Sequence, residues 1–235
     1  MTNKLKEYFP MIRTRKEILT YIEERQELQE VFESWSEERQ EEFLDFCCGV
    51  RGVKILYDSF FKEIFNPELH PERLEAFLSL ILGTEVKIKQ VLPNDSVRLA
   101  DESTLLITDI VVEFEDGVLA NIEVQKIGYN FPGQRVACYS ADLLLRQYKR
   151  VKAKKKKFTY RDMKKVYTIV LFEKSTEEFH KYQDFYVHHS RHVFDSGLKL
   201  ETLQEYVLIA LDIFKEVVHN KGIKNELDAW LTFIS

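Results

Sequence analysis

Cysteine is scarce in this 235-residue chain: there are three, with Cys47 and Cys48 adjacent and Cys138 alone. That excludes a disulfide framework and a CxxC metal clip. No stretch reaches the roughly 18 apolar residues that a membrane-spanning helix needs. The charged segment Met1 to Pro10 lacks the apolar core of a signal peptide. A soluble protein in a reducing cytoplasm is the expectation. Also absent are internal repeats and the motifs Walker A, GxGxxG, GxSxG and HExxH. Positive charge is short overall, since 34 Lys and Arg stand against 39 Asp and Glu. A net charge of −5 taken alone argues against a general nucleic-acid binder.

The distribution of charge says more than the sum. Arg146 to Lys165 holds eleven Lys or Arg and one acid, Asp162, so this window carries +10 on an otherwise acidic chain. A focused basic patch steers a polyanion to one place. The bland alternative is a solvated Lys-rich loop.

With 45% hydrophobic residues the chain can bury one core and a small helical appendage. Residues 1–52 read as a polar helical extension. Lys16 to Phe32 is rich in helix formers, and Ser36 is an N-cap followed by acids. Residues 53–198 read as the core. Tyr57 to Phe65 and Pro71 to Leu82 have helical spacing, the second stopped by Gly83. Val86 to Leu92 alternates like a strand, and two strands follow at roughly 104–114 and 118–126. Gly128 to Gly133 is a turn, Arg135 to Arg150 a helix that places Cys138 in the core, Lys154 to Lys157 a loop, and Val166 to Phe172 a buried strand. Phe185 to Phe194 reads as another strand. Residues 199–235 read as a helical segment, with one long helix over Thr202 to Val218, a last one beginning at Asn225, and an abrupt, truncated end. The class is α/β with a mixed sheet.

The chemistry is concentrated in the hairpin. Asp109 sits in the apolar run Leu105 to Val112 and Glu123 in Leu119 to Gln125, with the turn signal Glu115-Asp116-Gly117 between. Carboxylates in β-type segments are awkward unless they meet positive charge. Strands lie about 5 Å apart, so Asp109 and Glu123 at one level can share a Mg²⁺, a hard cation that takes oxygen ligands. Asn121, Glu123 and Gln125 form one polar face, and Gln125 is placed to position a water or touch a phosphate. The alternative is solvent-facing strand acids. Asp58 is either an N-cap or a further acid of the site. Gln134, Arg135 and Tyr139 open a helix whose N-terminus can receive phosphate. Arg135 also suits pairing with a site carboxylate. His188, His189 and His192 are a weak zinc candidate, since on a strand His188 and His192 share a face and His189 opposes it.

Asp58-Ser59-Phe60-Phe61-Lys62, Thr108-Asp109-Ile110-Val111-Val112, Gly117 with Asn121-Ile122-Glu123-Val124-Gln125, and Phe131-Pro132-Gly133-Gln134-Arg135 with Tyr139 together resemble the PD-(D/E)XK nuclease superfamily, in its bacterial transposase-like, recombination-promoting branch. The likeness runs over residues 57–235 and includes Arg146-Gln147-Tyr148 and Leu227 to Leu231. It implies a restriction-endonuclease-like core, a mixed sheet of about four strands flanked by helices. It implies Asp109 and Glu123 as metal ligands, Gln125 where the superfamily usually has Lys, Asp58 as the acid of the first motif, and Arg135 and Tyr139 lining the site. The expected activity is Mg²⁺-dependent DNA cleavage with little sequence specificity, with Mn²⁺ substituting. Arg146, Lys149, Arg150, Lys154, Lys155, Lys156 and Lys157 would track the DNA backbone. The rival reading is a catalytically weak or inactive nucleic-acid-binding module on the same fold. A third has the N-terminal helices docking a partner or making a homodimer.

Overall fold

The computed structural model describes residues 5–50, 58–93, 110–127 and 133–235. They form two compact units: Met1–Ile55 with Asn220–Ser235, and Leu56–His219.

The smaller unit is helical: α1 (Leu5–Tyr8), α2 (Arg15–Glu23), α3 (Gln26–Glu33), α4 (Glu37–Cys47) and α10 (Glu226–Ile234). The span Lys16 to Phe32, rich in helix formers, is helical as expected and is divided between α2 and α3. Arg25 breaks it with extended backbone, φ −133° and ψ 99°. Its guanidinium stacks 3.6 Å from the Tyr21 ring centroid and donates to the Tyr21 carbonyl, contacts that favour the kink over helix propensity. Ser36 caps α4 as expected, its hydroxyl accepting from the Arg39 amide at 3.4 Å. Ile18, Ile22 and Leu44 form the core.

The larger unit is α5 (Asp58–Ile64), α6 (Pro71–Leu82), β1 (Ile88–Val91), β2 (Ile110–Phe114), β3 (Leu119–Ile127), α7 (Gly133–Lys154), β4 (Val166–Lys174), α8 (Glu177–His180), β5 (Val187–His189) and β6 (Gln204–Ala210), with most of α9 (Leu211–Lys221). The sheet has six strands in the order β1-β2-β3-β4-β6-β5, not the four expected. The β3/β4 and β4/β6 pairs are parallel, and the β1/β2, β2/β3 and β5/β6 pairs are antiparallel. This is a mixed sheet flanked by helices, consistent with a restriction-endonuclease-like fold.

Two expectations need correction. Gln204–Ala210, assigned to a helix over residues 202–218, is strand β6, and the helix starts at Leu211. Tyr206-Val207-Leu208-Ile209 beside β4 is a short run with Val207 and Ile209 buried on one face and Tyr206 and Leu208 half-buried on the other. Periodicity cannot separate such a run from a buried helix, and aromatic and β-branched side chains favour the strand. Cys138, expected in the core, is exposed. The surface of α7 that meets the sheet carries Val136, Tyr139 and Leu143, and Cys138 lies off that stripe.

The hairpin reads true. Its turn closes with the Phe114 amide donating to the Val118 carbonyl at 2.8 Å and the Val118 amide to Asp116 Oδ1 at 3.0 Å. Gly117 sits at φ +88°, where a side chain is strained, and an added Cβ would come within 3.3 Å of Lys164 Cγ. Residues 104–109 of the first expected strand and 128–132 of the expected turn lie outside the described residues.

Candidate active site

Strand β3 alternates between two environments. Ala120 and Ile122 are buried on one face, and Asn121, Glu123 and Gln125 occupy the other. That second face lies under α7. The register pairs Asn121 with Thr168, Glu123 with Val170 and Gln125 with Phe172 on β4. Val170 and Phe172 pack against Val136 and Tyr139 of α7. The first two turns of α7 therefore lie at the level of Glu123 and Gln125, one strand across, about 5 Å.

Glu123 is 1% exposed, so it is not a solvent-facing strand acid. Asn121 Nδ2 donates to Glu123 Oε1 at 2.9 Å and orients the carboxylate. A buried carboxylate is costly unless it is hydrogen-bonded and meets positive charge. Gln125 is half-buried two residues on. Arg135 donates through Nη2 to the Tyr139 hydroxyl at 3.0 Å, and Tyr139 is fully buried. Asp109, the other expected ligand, lies outside the described residues. Strand β2 begins at the next residue, Ile110, which pairs with Ile122, the neighbour of Glu123. Asp58 opens α5.

Two polar atoms beneath α7 stand out. Asn121 Oδ1 and Thr168 Oγ1 are buried with no hydrogen-bond partner among the described residues. An unsatisfied buried hydroxyl costs about 1–3 kcal/mol. Thr168→Val keeps the branched shape and removes the hydroxyl, so it is expected to stabilise the fold by about 1 kcal/mol. Thermal denaturation should show a rise of roughly 2–4 °C; a fall would mean that the hydroxyl is satisfied in solution.

The basic window occupies the other end of α7. Leu143 packs on Val111, Leu119 and Val166. Gln147 then ties the helix to the hairpin, donating to the Gly117 carbonyl at 3.3 Å and accepting from the Lys164 amide at 2.8 Å. The helix extends to Lys154, so the Lys run begins on it rather than in a loop. Several of its cations have internal partners. Arg146 pairs with Asp142 at 2.6 Å and donates to the Pro93 carbonyl at 3.1 Å. Arg150 pairs with Glu113, and Lys155 with Asp162 at 2.5 Å. Lys149, Lys154, Lys156 and Lys157 are exposed, with no ion pair among the described residues.

Glu113 was not anticipated. It is 8% exposed on β2, and Gln90 donates to it at 2.7 Å, with Lys89 at 3.3 Å beside Arg150. Burial opposes its ionisation, but the Arg150 and Gln90 hydrogen bonds and the Arg150 charge outweigh burial and hold it below the usual carboxylate range. A lowered folded pKa contributes stability above the unfolded value of about 4.3, and that stability is lost as pH falls through the folded pKa. The urea midpoint should drop over that acid window, and Glu113→Gln should flatten that limb. An unchanged acid limb in Glu113→Gln would assign it to other carboxylates.

The histidines do not converge. His188 pairs with Leu208 and His189 with Val207 in the sheet, and His192 lies beyond β5. His188 stacks edge-on with Phe179 at 5.2 Å. Among the described residues no group of three His, Cys, Asp or Glu is placed to hold a metal, so the zinc reading finds no support there. Among them also, no helix is long and apolar enough to cross a membrane.

Asn121 as the partner of Glu123 carried one sequence signal, its place two residues earlier on the polar face. Glu113 carried none, because its partner Arg150 is 37 residues away.

A family model described as PD-(D/E)XK nuclease family transposase matches residues 55–235. Comparison with curated proteins and with solved structures gave no match.

Proposed function

This chain belongs to the PD-(D/E)XK nuclease family transposases, and we propose that it is a metal-dependent DNA endonuclease, recombination-associated, that hydrolyses phosphodiester bonds with little sequence preference. The observation that carries the reading is Glu123, a carboxylate buried on a central strand, held by Asn121 and covered by the first turns of α7. Its strand neighbour Ile122 pairs with Ile110, the residue after Asp109. The donor set fits a hard cation: Asp109 and Glu123 carboxylates, with Asn121 Oδ1 buried nearby and without a hydrogen-bond partner among the described residues. Asp109 and Glu123 would hold Mg²⁺, with Mn²⁺ substituting and Asp58 assisting. Bound there, the cation would acidify a water and neutralise charge on the phosphate.

The remaining roles belong to side chains. Gln125 shares the Glu123 face and can orient the attacking water or donate to a phosphate oxygen through its amide. Arg135, steadied by Tyr139, presents a planar fork that suits a phosphate bidentately. The amides at the N-terminus of α7 point toward the same anion and can add donors to it. Lys149, Lys154, Lys156 and Lys157 would contact the backbone farther along, which reads no base. Arg146 and Arg150, with acid partners in place, serve first to position α7.

A second reading rests on Gln125, which stands where the superfamily usually has Lys. Without a lysine ammonium at that position to stabilise the transition state, the chain would bind DNA and cleave slowly or not at all. Plasmid nicking in Mg²⁺ or Mn²⁺, comparing the chain with Asp109→Ala, decides. Nicking lost in the variant supports the endonuclease. Equal nicking in both indicates a contaminant and counts against it. No nicking in either, with salt-sensitive DNA binding intact, supports the binding module.

A further inference from the structure

We propose that the helical unit docks a basic amphipathic helix of a partner protein in an open apolar groove along α2, α3 and α4. The groove has a volume of about 550 Å³ and is lined by Ile18, Tyr21, Leu28, Val31, Trp35 and Phe43 among others. Its floor is aromatic: Trp35 lies 5.4 Å from Phe43 and 6.0 Å from Phe32, centroid to centroid.

Helix α3 is the anomaly. Leu28, Val31 and Phe32 fall at i, i+3 and i+4, the spacing of a helix that buries one face. Yet none of its eight residues is buried. Leu28 is 42% exposed and Val31 52%. Helices this short owe their stability in proteins to tertiary packing of such a face, and here two of its three residues, Leu28 and Val31, are exposed. Apolar surface of this kind marks an interaction site. The lining has few polar groups of the kind that orient a small molecule. Arg13 is one charged group in it, and it stacks over Tyr21 at 5.1 Å. An amphipathic helix, anchored by side chains at i, i+3, i+4 and i+7, suits the shape.

The surrounding charge selects the partner. Residues 11–47 contain eleven Asp or Glu and five Lys or Arg. Arg13 and Arg25 stack on Tyr21, Arg39 on Trp35, and Arg15 pairs with Glu41. Glu27, Glu30 and Glu33 run along α3 beside the exposed stripe. They are exposed and have no ion pair with Lys or Arg among the described residues. A negative rim repels an anionic lipid surface, and two copies meeting groove to groove would set like charges together. A helix with a Leu-rich face flanked by Lys or Arg satisfies both the groove and its rim.

The test uses the full chain and an 18-residue Leu/Lys peptide with Leu at i, i+3, i+4 and i+7, titrated calorimetrically. The peptide is expected to bind at least tenfold more tightly than a scrambled peptide of the same composition or its Leu/Glu counterpart. Leu28→Asp and Val31→Asp change exposed positions and should each weaken binding at least tenfold with the circular dichroism spectrum unchanged. Glu27→Lys with Glu30→Lys should weaken it and reduce its salt dependence. Equal affinity for all three peptides, or full affinity in both Asp variants, overturns the proposal. So does a dimer in sedimentation that Val31→Asp dissociates, which assigns the groove to a second copy.

Discussion

Glu123→Gln is expected to lower the rate of plasmid cleavage by about three orders of magnitude. A group that holds a catalytic metal supports several kcal/mol of charge stabilisation, and about 4 kcal/mol corresponds to about 10³ in rate at 25 °C. The substitution keeps the shape and leaves Asn121 Nδ2 an oxygen to donate to at the position where it now meets Glu123 Oε1. It removes a negative charge from a site 1% exposed. Burying a charge without a cation is costly, so the variant should melt no lower than the parent when no divalent ion is present, and Mg²⁺ should no longer raise its melting temperature. Loss of cleavage with stability retained is the signature of a metal-holding carboxylate. Loss of both would make Glu123 a structural residue, and full activity would sink the endonuclease assignment.

The same residue shows how far the chain could be read unaided. The alternation of Asn121, Glu123 and Gln125 against Ile122 and Val124 is a local pattern, and the strand follows it. Helix α6 was equally legible, because Pro71 starts it and Gly83, at φ +67°, stops it. What escaped depends on partners distant in sequence. Arg150, expected as a DNA contact, meets Glu113 on β2 from its place on α7, and Arg146 donates to the Pro93 carbonyl 53 residues away. Strand β6 escaped because Tyr206 to Ala210 puts apolar residues on both faces, which erases the period-2 signal. The open face of α3 escaped because a helical apolar stripe looks the same in sequence whether or not something covers it.

Replacing Lys154, Lys156 and Lys157 together by Ala is expected to leave the reaction chemistry alone and to weaken DNA binding strongly in low salt. These three are exposed and have no ion pair among the described residues, so their removal leaves no buried partner behind. Each phosphate contact steepens the dependence of log affinity on log salt by about 0.9, so losing three should reduce the slope by about 2.7. Between 50 and 200 mM salt the parent should then lose about 40-fold more affinity than the variant. The geometry adds a length requirement. Nineteen residues separate Arg135 from Lys154 within one helix, roughly 28 Å at 1.5 Å per residue. At 3.4 Å per base pair that is about eight base pairs of duplex. Duplexes extending fewer than about eight pairs beyond the cut on that side should bind parent and variant alike, and longer ones should separate them. A salt slope unchanged by the triple substitution would remove the Lys run from the DNA path, while a changed slope at every duplex length would put those lysines beside the cut rather than a helix length away.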